Sequence, residues 1–425
     1  MQKLRSAMKR LLVGGLCVLT IGFAGLSWMN YSAGKRVTEM REAIVKTGYP
    51  IHLKELYKES VPDQDNAYQV FQKWNDEIQA AELAVSGSGK EELPYLSERV
   101  LTPEEINALD AILTKHQVMI DAIIEASGKK ELRVPVDIDK VESVINELLV
   151  RTREFRSLAR ILSANVRLKI GQGKQEEAMD SAVAILKWSQ LLAKQPTLVN
   201  YLVATAVRGM GIYYAAEVLY AGPVDEASFK KLEEVLLAFD TNTQWKSVIY
   251  SEIPFFVDVF HPTLSIATRH LWFSLQGEAD YLYTMKTVAE KPLVQDGLFV
   301  NAMPNKDDDF GKGWIFGSMM PALNATQEAA MRTDSQTRCL LALLQWRRLG
   351  GTAQDVKALN LSGALAKDPY DGGPLKMQTT EFGPVFYVIG SNRVDDGGGK
   401  AILSQQKDVG LMPMAKQAQL IAEIE

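Results

Sequence analysis

The chain has 425 residues, 47% of them hydrophobic and 23% charged, with a formal net charge of −5. That length exceeds one compact core and suits two or three units, and the apolar share is enough for most of it to fold. The acidic balance, with no basic stripe interleaved with aromatics, speaks against nucleic-acid binding, and Cys17 and Cys339 cannot supply a disulfide framework.

The first element is Leu11–Trp28, an apolar run of 18 residues without a charge, preceded by Lys3, Arg5, Lys9 and Arg10. Lipid leaves backbone polar groups no partner but each other, so such a run reads as a membrane-spanning helix. Trp28 and Tyr31 stand where interfacial aromatics stand, and the leading basic residues predict a cytoplasmic N-terminus. Lys35, Arg36 and Arg41 beyond the run are the opposing signal, diluted by Glu39 and Glu42. A cleaved signal peptide is the competing reading, but Gly25-Leu26-Ser27 and Tyr31-Ser32-Ala33 match a small-x-small cleavage site poorly. Either way the bulk is exported. Without the four leading basic residues the exported part holds 43 basic against 52 acidic residues, a charge of −9.

Arg36–Glu59 leaves the membrane as a polar helical stalk that breaks at Gly48-Tyr49-Pro50. A loop opens at Val61-Pro62-Asp63, and Asn66–Ala84 reads as a helix with Val70, Phe71, Trp74, Ile78 and Ala81 on one face. Ser86–Lys90 is a glycine–serine turn without the spacing of a phosphate-binding loop. Thr102-Pro103-Glu104-Glu105 is a capping box with proline in the first turn, predicting a helix to Ser127 that stops at Gly128. Asp139 with Glu142 starts another, carried to Ile170 by Val141, Val144, Ile145, Leu148, Thr152, Phe155, Ala159 and Leu162. Gly171-Gln172-Gly173 then turns the chain, and Gln175–Lys194 returns antiparallel with Ala178, Ala182, Ile185 and Leu192 inward. This hairpin looks like one unit of a tetratricopeptide-type array, but no repeat near 34 residues follows it.

Thr197–Leu219 and Asp225–Asp240 add two helices. Val248–Val288 is apolar and aromatic, interrupted by Pro254 and Pro262 and dotted with charges, so it reads as a buried or groove-lining segment rather than a second span. Pro292–Gly317 is loop-like, and Pro321–Leu349 is the last long helix, ending at Gly350-Gly351. Leu375–Thr380 and Val385–Ile389 read as two short strands about the turn Glu381–Pro384. Gly390–Gly399 is rich in glycine and aspartate, and the tail after Asp408 reads as a short helix. The expected fold is therefore mainly α. An anchor occupies 1–34, an extracytoplasmic multi-helix domain with antiparallel hairpins 35–325, and a long helix with a small α+β module 326–425.

Two resemblances rest on particular residues. The segments Asp368-Pro369-Tyr370-Asp371-Gly372-Gly373-Pro374-Leu375, Tyr387–Asn392 and Asp395-Asp396-Gly397-Gly398 make Thr337–Gly399 similar to the C-terminal part of type II secretion major pseudopilins. There a helix leads to a small hairpin and a calcium-binding glycine-rich loop; Asn392 stands where those proteins usually carry aspartate. The motifs Gly48-Tyr49-Pro50, Val61-Pro62-Asp63, Leu158-Ala159, Gly173, Ala178 and Pro196-Thr197-Leu198 make most of the chain resemble a large group of bacterial membrane-anchored exported proteins. That resemblance carries no activity with it.

The best site candidate is the C-terminal loop. Calcium takes ~6–8 oxygens, and Asn392, Asp395 and Asp396 with the Ile389 carbonyl could supply part of such a cage. The other reading is a solvated polar turn whose glycines serve the backbone. Asn305–Phe316 fails as an EF-hand, with Phe310 at the required glycine and Phe316 at the terminal glutamate. His52, His116, His261 and His270 form no metal-type pair, no G-x-S-x-G elbow exists, and Glu176-Glu177 and Glu233-Glu234 fall on helix surfaces. No catalytic residue is named. The expected function is a noncatalytic protein of the bacterial inner membrane, single-pass, with its bulk periplasmic and a protein partner in the envelope. The alternatives are an exported hydrolase using an aromatic groove at Phe255–Trp272 with His261 or His270, and a pseudopilin-like secretion component.

Overall fold

The computed structural model describes residues 2–57, 61–87, 95, 99–138, 140–260, 271–303, 314–361, 363–399, 402 and 407–422. The protein is mainly helical with small antiparallel sheets. It divides into two compact units that are not contiguous in sequence: residues 1–58, 249–290 and 303–321, and residues 59–248, 291–302 and 322–425.

The first unit is built on one long helix, α1 (Gln2–Val45). The apolar run and the first half of the stalk are thus a single helix, which ends three residues before Gly48, at φ +83°. From residue 33 onward it buries one face, through Ala33, Val37 and Ile44. Leu53–Leu56 forms the short helix α2. The apolar aromatic segment supplies the rest. Its helix, here α10 (Thr241–Phe255), contains Pro254, and the hydrogen-bond ladder widens to a π turn at Phe256–Phe260, just past the residue that lacks an N–H. Helix α11 (Leu271–Glu290) follows. Phe256 stacks on Tyr281 at 3.7 Å and Tyr49 on Tyr250 at 4.2 Å. Phe255, Phe256, Val257 and Tyr281 are all buried, so this part of the expected groove is filled by its own side chains.

The second unit begins with α3 (Gln69–Ser86), which buries Val70, Phe71, Ile78, Ala81 and Val85. Trp74, expected on that face, is only half buried. The capping box at Thr102 and Glu105 is formed, but the helix expected to Ser127 is interrupted: α4 (Pro103–Leu113) and α5 (Gln117–Ala126) are separated by a 3-10 turn at Thr114–His116. Neither glycine nor proline marks that break; His116 Nδ1 lies 3.1 Å from Glu77 Oε1 on α3. Helix α6 (Val141–Gly171) takes Lys140 as its N-cap without a side-chain cap, and Asp139 lies outside the described residues. It pairs antiparallel with α7 (Gln175–Ala193), as the Lys169–Glu177 ion pair at 2.7 Å and the Asn165–Ser181 hydrogen bond at 2.9 Å require.

Helix α8 (Leu198–Ala221) is long and apolar enough to cross a membrane, but 61% of its most apolar window is buried inside the protein, the mark of a core helix. It approaches α7 so closely that a Cβ on Gly211 would meet the Leu186 side chain at 2.8 Å. The helix expected over Asp225–Asp240 is α9 (Glu226–Leu237), with Asp225 as its N-cap, accepting from the Ser228 N–H at 2.8 Å.

The segment expected as loop up to Gly317 contains a two-stranded hairpin, β1 (Val294–Gln295) with β2 (Leu298–Phe299). The last long helix, α12 (Trp314–Arg348), starts before Pro321 and carries it inside. Strands β3 (Lys376–Thr380) and β4 (Gly383–Val388) pair antiparallel through a two-residue turn, so Gly383 and Pro384 belong to the strand rather than to the turn. A third strand that the sequence did not announce, β5 (Val409–Leu411), pairs with β4, and α13 (Met414–Ala422) ends the described chain. Phe386, Val388, Val409 and Leu411 lie in one apolar core with Ala178, Leu186, Ile212, Leu219, Leu232 and Leu343. The C-terminal sheet is therefore a wall of the helical unit's core.

Candidate functional site

The loop after β4 is held at both ends by buried aspartates. Asp368, wholly buried, accepts from the Tyr370 N–H at 3.0 Å, the Ile389 N–H at 2.8 Å and Lys376 Nζ at 3.1 Å. It thereby ties the Asp368-Pro369 turn to the end of β4. Burial nevertheless pushes its carboxyl above the usual range, against those three donors. Asp408 does the same work at the other end. Also wholly buried, it accepts from the Asp396 N–H at 3.3 Å and the Gly398 N–H at 2.7 Å. Burial, reinforced by the charges of Asp395 and Asp396, raises its carboxyl.

Between these anchors residues 391–397 are exposed. Asn392 Nδ2 donates to Asp396 Oδ2 at 2.8 Å, while Asn392 Oδ1 accepts from the Val394 N–H at 3.1 Å. Asp395 Oδ1 accepts from the Gly397 N–H at 3.0 Å and from the Tyr387 hydroxyl at 3.4 Å. Gly398 has φ +65° and sits against Tyr387, whose ring a Cβ would meet at 3.0 Å; no other residue satisfies both constraints.

The structure thus brings Asn392 to Asp396 and sets Asp395 and Asp396 near Asp408. It does not turn them into a cage. Asn392 offers Asp396 its amide nitrogen, and the carboxylates accept from backbone N–H groups. Among the described residues no group of three or more His, Cys, Asp or Glu side chains could hold a metal ion. As arranged, Asn392, Asp395 and Asp396 do not fit a calcium cage. In the sequence Asp408, the residue that organises the loop, marks only the start of the tail. Its signal would have been an aspartate placed to return to a loop with too few donors of its own.

The other polar candidates serve structure. Glu55 turns back on the start of α2: its Oε2 accepts from the Ile51 N–H at 3.0 Å and from the His52 N–H at 3.5 Å. His52 Nδ1 lies 2.8 Å from Asp258 Oδ1, whose other oxygen accepts from the Leu53 N–H at 2.8 Å. His261, His270 and Asn305–Gly313 lie outside the described residues. Glu177 pairs with Lys169, and Glu233 with Arg348 at 3.2 Å. Cys339 is a free, buried thiol.

Compared with known proteins, the chain matches no family model, no curated protein and no solved structure.

Proposed function

We propose that the protein is a noncatalytic, single-pass protein of the bacterial inner membrane, with a cytoplasmic N-terminus and a periplasmic bulk that binds or scaffolds other envelope proteins. One observation carries the anchor. Along α1, residues 20–28 are exposed on every face, including Ile21 at 72%, Phe23 at 75% and Trp28 at 69%. A helix that offers apolar side chains in all directions has no stable place in water, whereas lipid accepts it whole.

The same helix then joins the fold of its unit. Arg41 pairs with Glu278, which is 1% exposed, and Arg36 with Asp280 at 3.3 Å. Cutting the chain at Ala33 would open a continuous helix whose next buried residues are Val37 and Ile44, so this geometry favours a retained anchor over a cleaved leader. The scaffolding role rests on a helical unit whose polar clusters are spent on caps and ion pairs. The filled aromatic segment gives the hydrolase alternative no footing among the described residues.

The test is carbonate extraction of membranes from expressing cells, followed by intact mass and protease protection in spheroplasts. The expected result is a full-length chain that stays in the pellet and is digested from the periplasmic side down to a short N-terminal fragment. A chain released by carbonate, or shortened near residue 33, would overturn the anchor. In-cell crosslinking that returned no reproducible envelope partner would overturn the scaffolding role.

A further inference from the structure

An Asp–Gly bond can rearrange unaided, because no side chain on the glycine keeps its nitrogen from the preceding carboxyl. The chain holds three such bonds, Asp296-Gly297, Asp371-Gly372 and Asp396-Gly397. The fold restrains the first two. Asp296-Gly297 turns between β1 and β2; Gly297 is buried, its carbonyl accepts from Arg338 Nη1 at 2.9 Å, and a Cβ on it would meet Ala364 at 3.0 Å. At Asp371-Gly372 the glycine nitrogen is engaged elsewhere: its N–H donates to the Asp368 carbonyl at 2.9 Å, while Asp371 Oδ1 accepts from the Gly373 N–H at 2.8 Å. Asp396-Gly397 differs on each point. Both residues are exposed, and a Cβ on Gly397 would meet nothing within 4 Å. The partner of the Gly397 N–H is a carboxylate rather than a backbone carbonyl, Asp395 Oδ1 at 3.0 Å. The Asp396 carboxyl accepts on Oδ2 from Asn392 Nδ2 at 2.8 Å.

We propose that Asp396-Gly397 is a self-modification site, at which Asp396 converts through a cyclic imide to isoaspartate. The Gly397 nitrogen attacks Asp396 Cγ. Its proton passes to Asp395 Oδ1 and from there to the departing carboxyl oxygen, so a C–N bond forms, a C–O bond breaks and a water leaves. The Asn392 amide, already donating to Asp396 Oδ2, steadies the charge that grows on that oxygen as Cγ becomes tetrahedral. Water then adds to the imide at the former backbone carbonyl, and the chain runs on through the Asp396 side chain. The mass returns to its starting value, but the backbone is longer by a methylene. The insertion falls between the two ties to Asp408, from the Asp396 N–H at 3.3 Å and the Gly398 N–H at 2.7 Å. Both ties cannot then be kept in their present geometry, so the modification loosens the loop from the buried aspartate beneath it.

The experiment ages the full chain in detergent in mildly acidic buffer, digests it and compares the three Asp–Gly peptides by electron-transfer fragmentation. That method cleaves isoaspartate between Cα and Cβ and so tells it from aspartate at equal mass. Isoaspartate should accumulate at position 396 several-fold faster than at 371 or 296. Asp395→Asn should slow the reaction at 396 several-fold and leave 371 unchanged, and Asp396→Glu, whose ring would be larger by a methylene, should leave the bond intact. Absence of isoaspartate at 396 in the aged wild type, or equal rates at all three bonds, would overturn the site without reference to any variant. A rate at 396 that D395N leaves unchanged would overturn the proton transfer assigned to Asp395.

Discussion

Glu217 has no place in any surface chemistry, yet it titrates in the physiological range. It sits on α8, half-buried, accepting from the Met414 N–H at 2.8 Å, with Arg167 as a compensating cation. Arg167 in turn donates to the Arg99 carbonyl. Desolvation outweighs both helpers and pushes the Glu217 carboxyl up to about 8. The native state therefore binds the proton more tightly than the unfolded chain does. Stability is full below the ordinary glutamate value and is lost as pH rises through the range from ~4.5 to about 8. At ~1.4 kcal/mol per unit the loss is about 5 kcal/mol at most. Asp368 and Asp408, also raised, act with the same sign. Glu217→Gln keeps the acceptor and removes the titration. Chemical denaturation of wild type and E217Q at pH 5 and pH 8 should show the wild type losing stability between the two and the variant losing clearly less. Parallel losses in both would locate the pH dependence elsewhere.

The C-terminal loop shows how an exposed turn is held by what lies beneath it. Asp408→Ala leaves the Asp396 and Gly398 N–H groups without their acceptor, one of them in a buried position. The cost of orphaning such donors is about 2–4 kcal/mol. The variant should melt lower and become open to proteases within residues 391–397, while EDTA should leave the wild-type melt unchanged. A wild-type melt that fell with EDTA would return a cation to the loop. The sequence carried this element in part. Alternation and glycine punctuation located β3, β4 and the loop, because a half-buried hairpin imprints its period on the chain. Val409-Gly410-Leu411 left no such imprint: three residues with a glycine in the middle become a strand only because β4 is there to pair with. The break between α4 and α5 was invisible for a similar reason, since Thr114, Lys115 and His116 carry no helix-stopping chemistry. The capping box at Thr102 and the turn at Gly171–Gly173 were legible because their signals are local. The roles of Asp368 and Asp408 were not, since each is defined by partners that meet it only after folding.

The distribution of the apolar core decides what can be cut from the molecule. Residues 326–425 read as a module of their own: a helix, a hairpin, a loop and a tail. Their apolar faces do not close on themselves. Phe386, Val388, Val409 and Leu411 share a core with α7, α8 and α9, and the Tyr220 hydroxyl donates to the Pro384 carbonyl at 2.8 Å and to that of Leu411 at 3.2 Å. Arg347 closes the last turn of α8, donating to the Leu219 carbonyl at 2.6 Å and to that of Tyr220 at 3.0 Å. A fragment starting at Thr337 would expose all of these at once. Each large apolar side chain returned to water costs about 1.5–3 kcal/mol, and a piece of this size has no such reserve. The fragment should show a collapsed near-ultraviolet dichroism signal and no cooperative melt, whereas residues 59–248 supplied with 291–425 should restore both, because that pair holds both sides of the core. A cooperative melt of the fragment alone would mean that the sheet and α12 form an independent head, as they would in a pseudopilin. Failure of the fragment together with success of the pair would make the C-terminal sheet a structural wall of the helical unit, and would direct the search for partners to the outer surfaces of the helices.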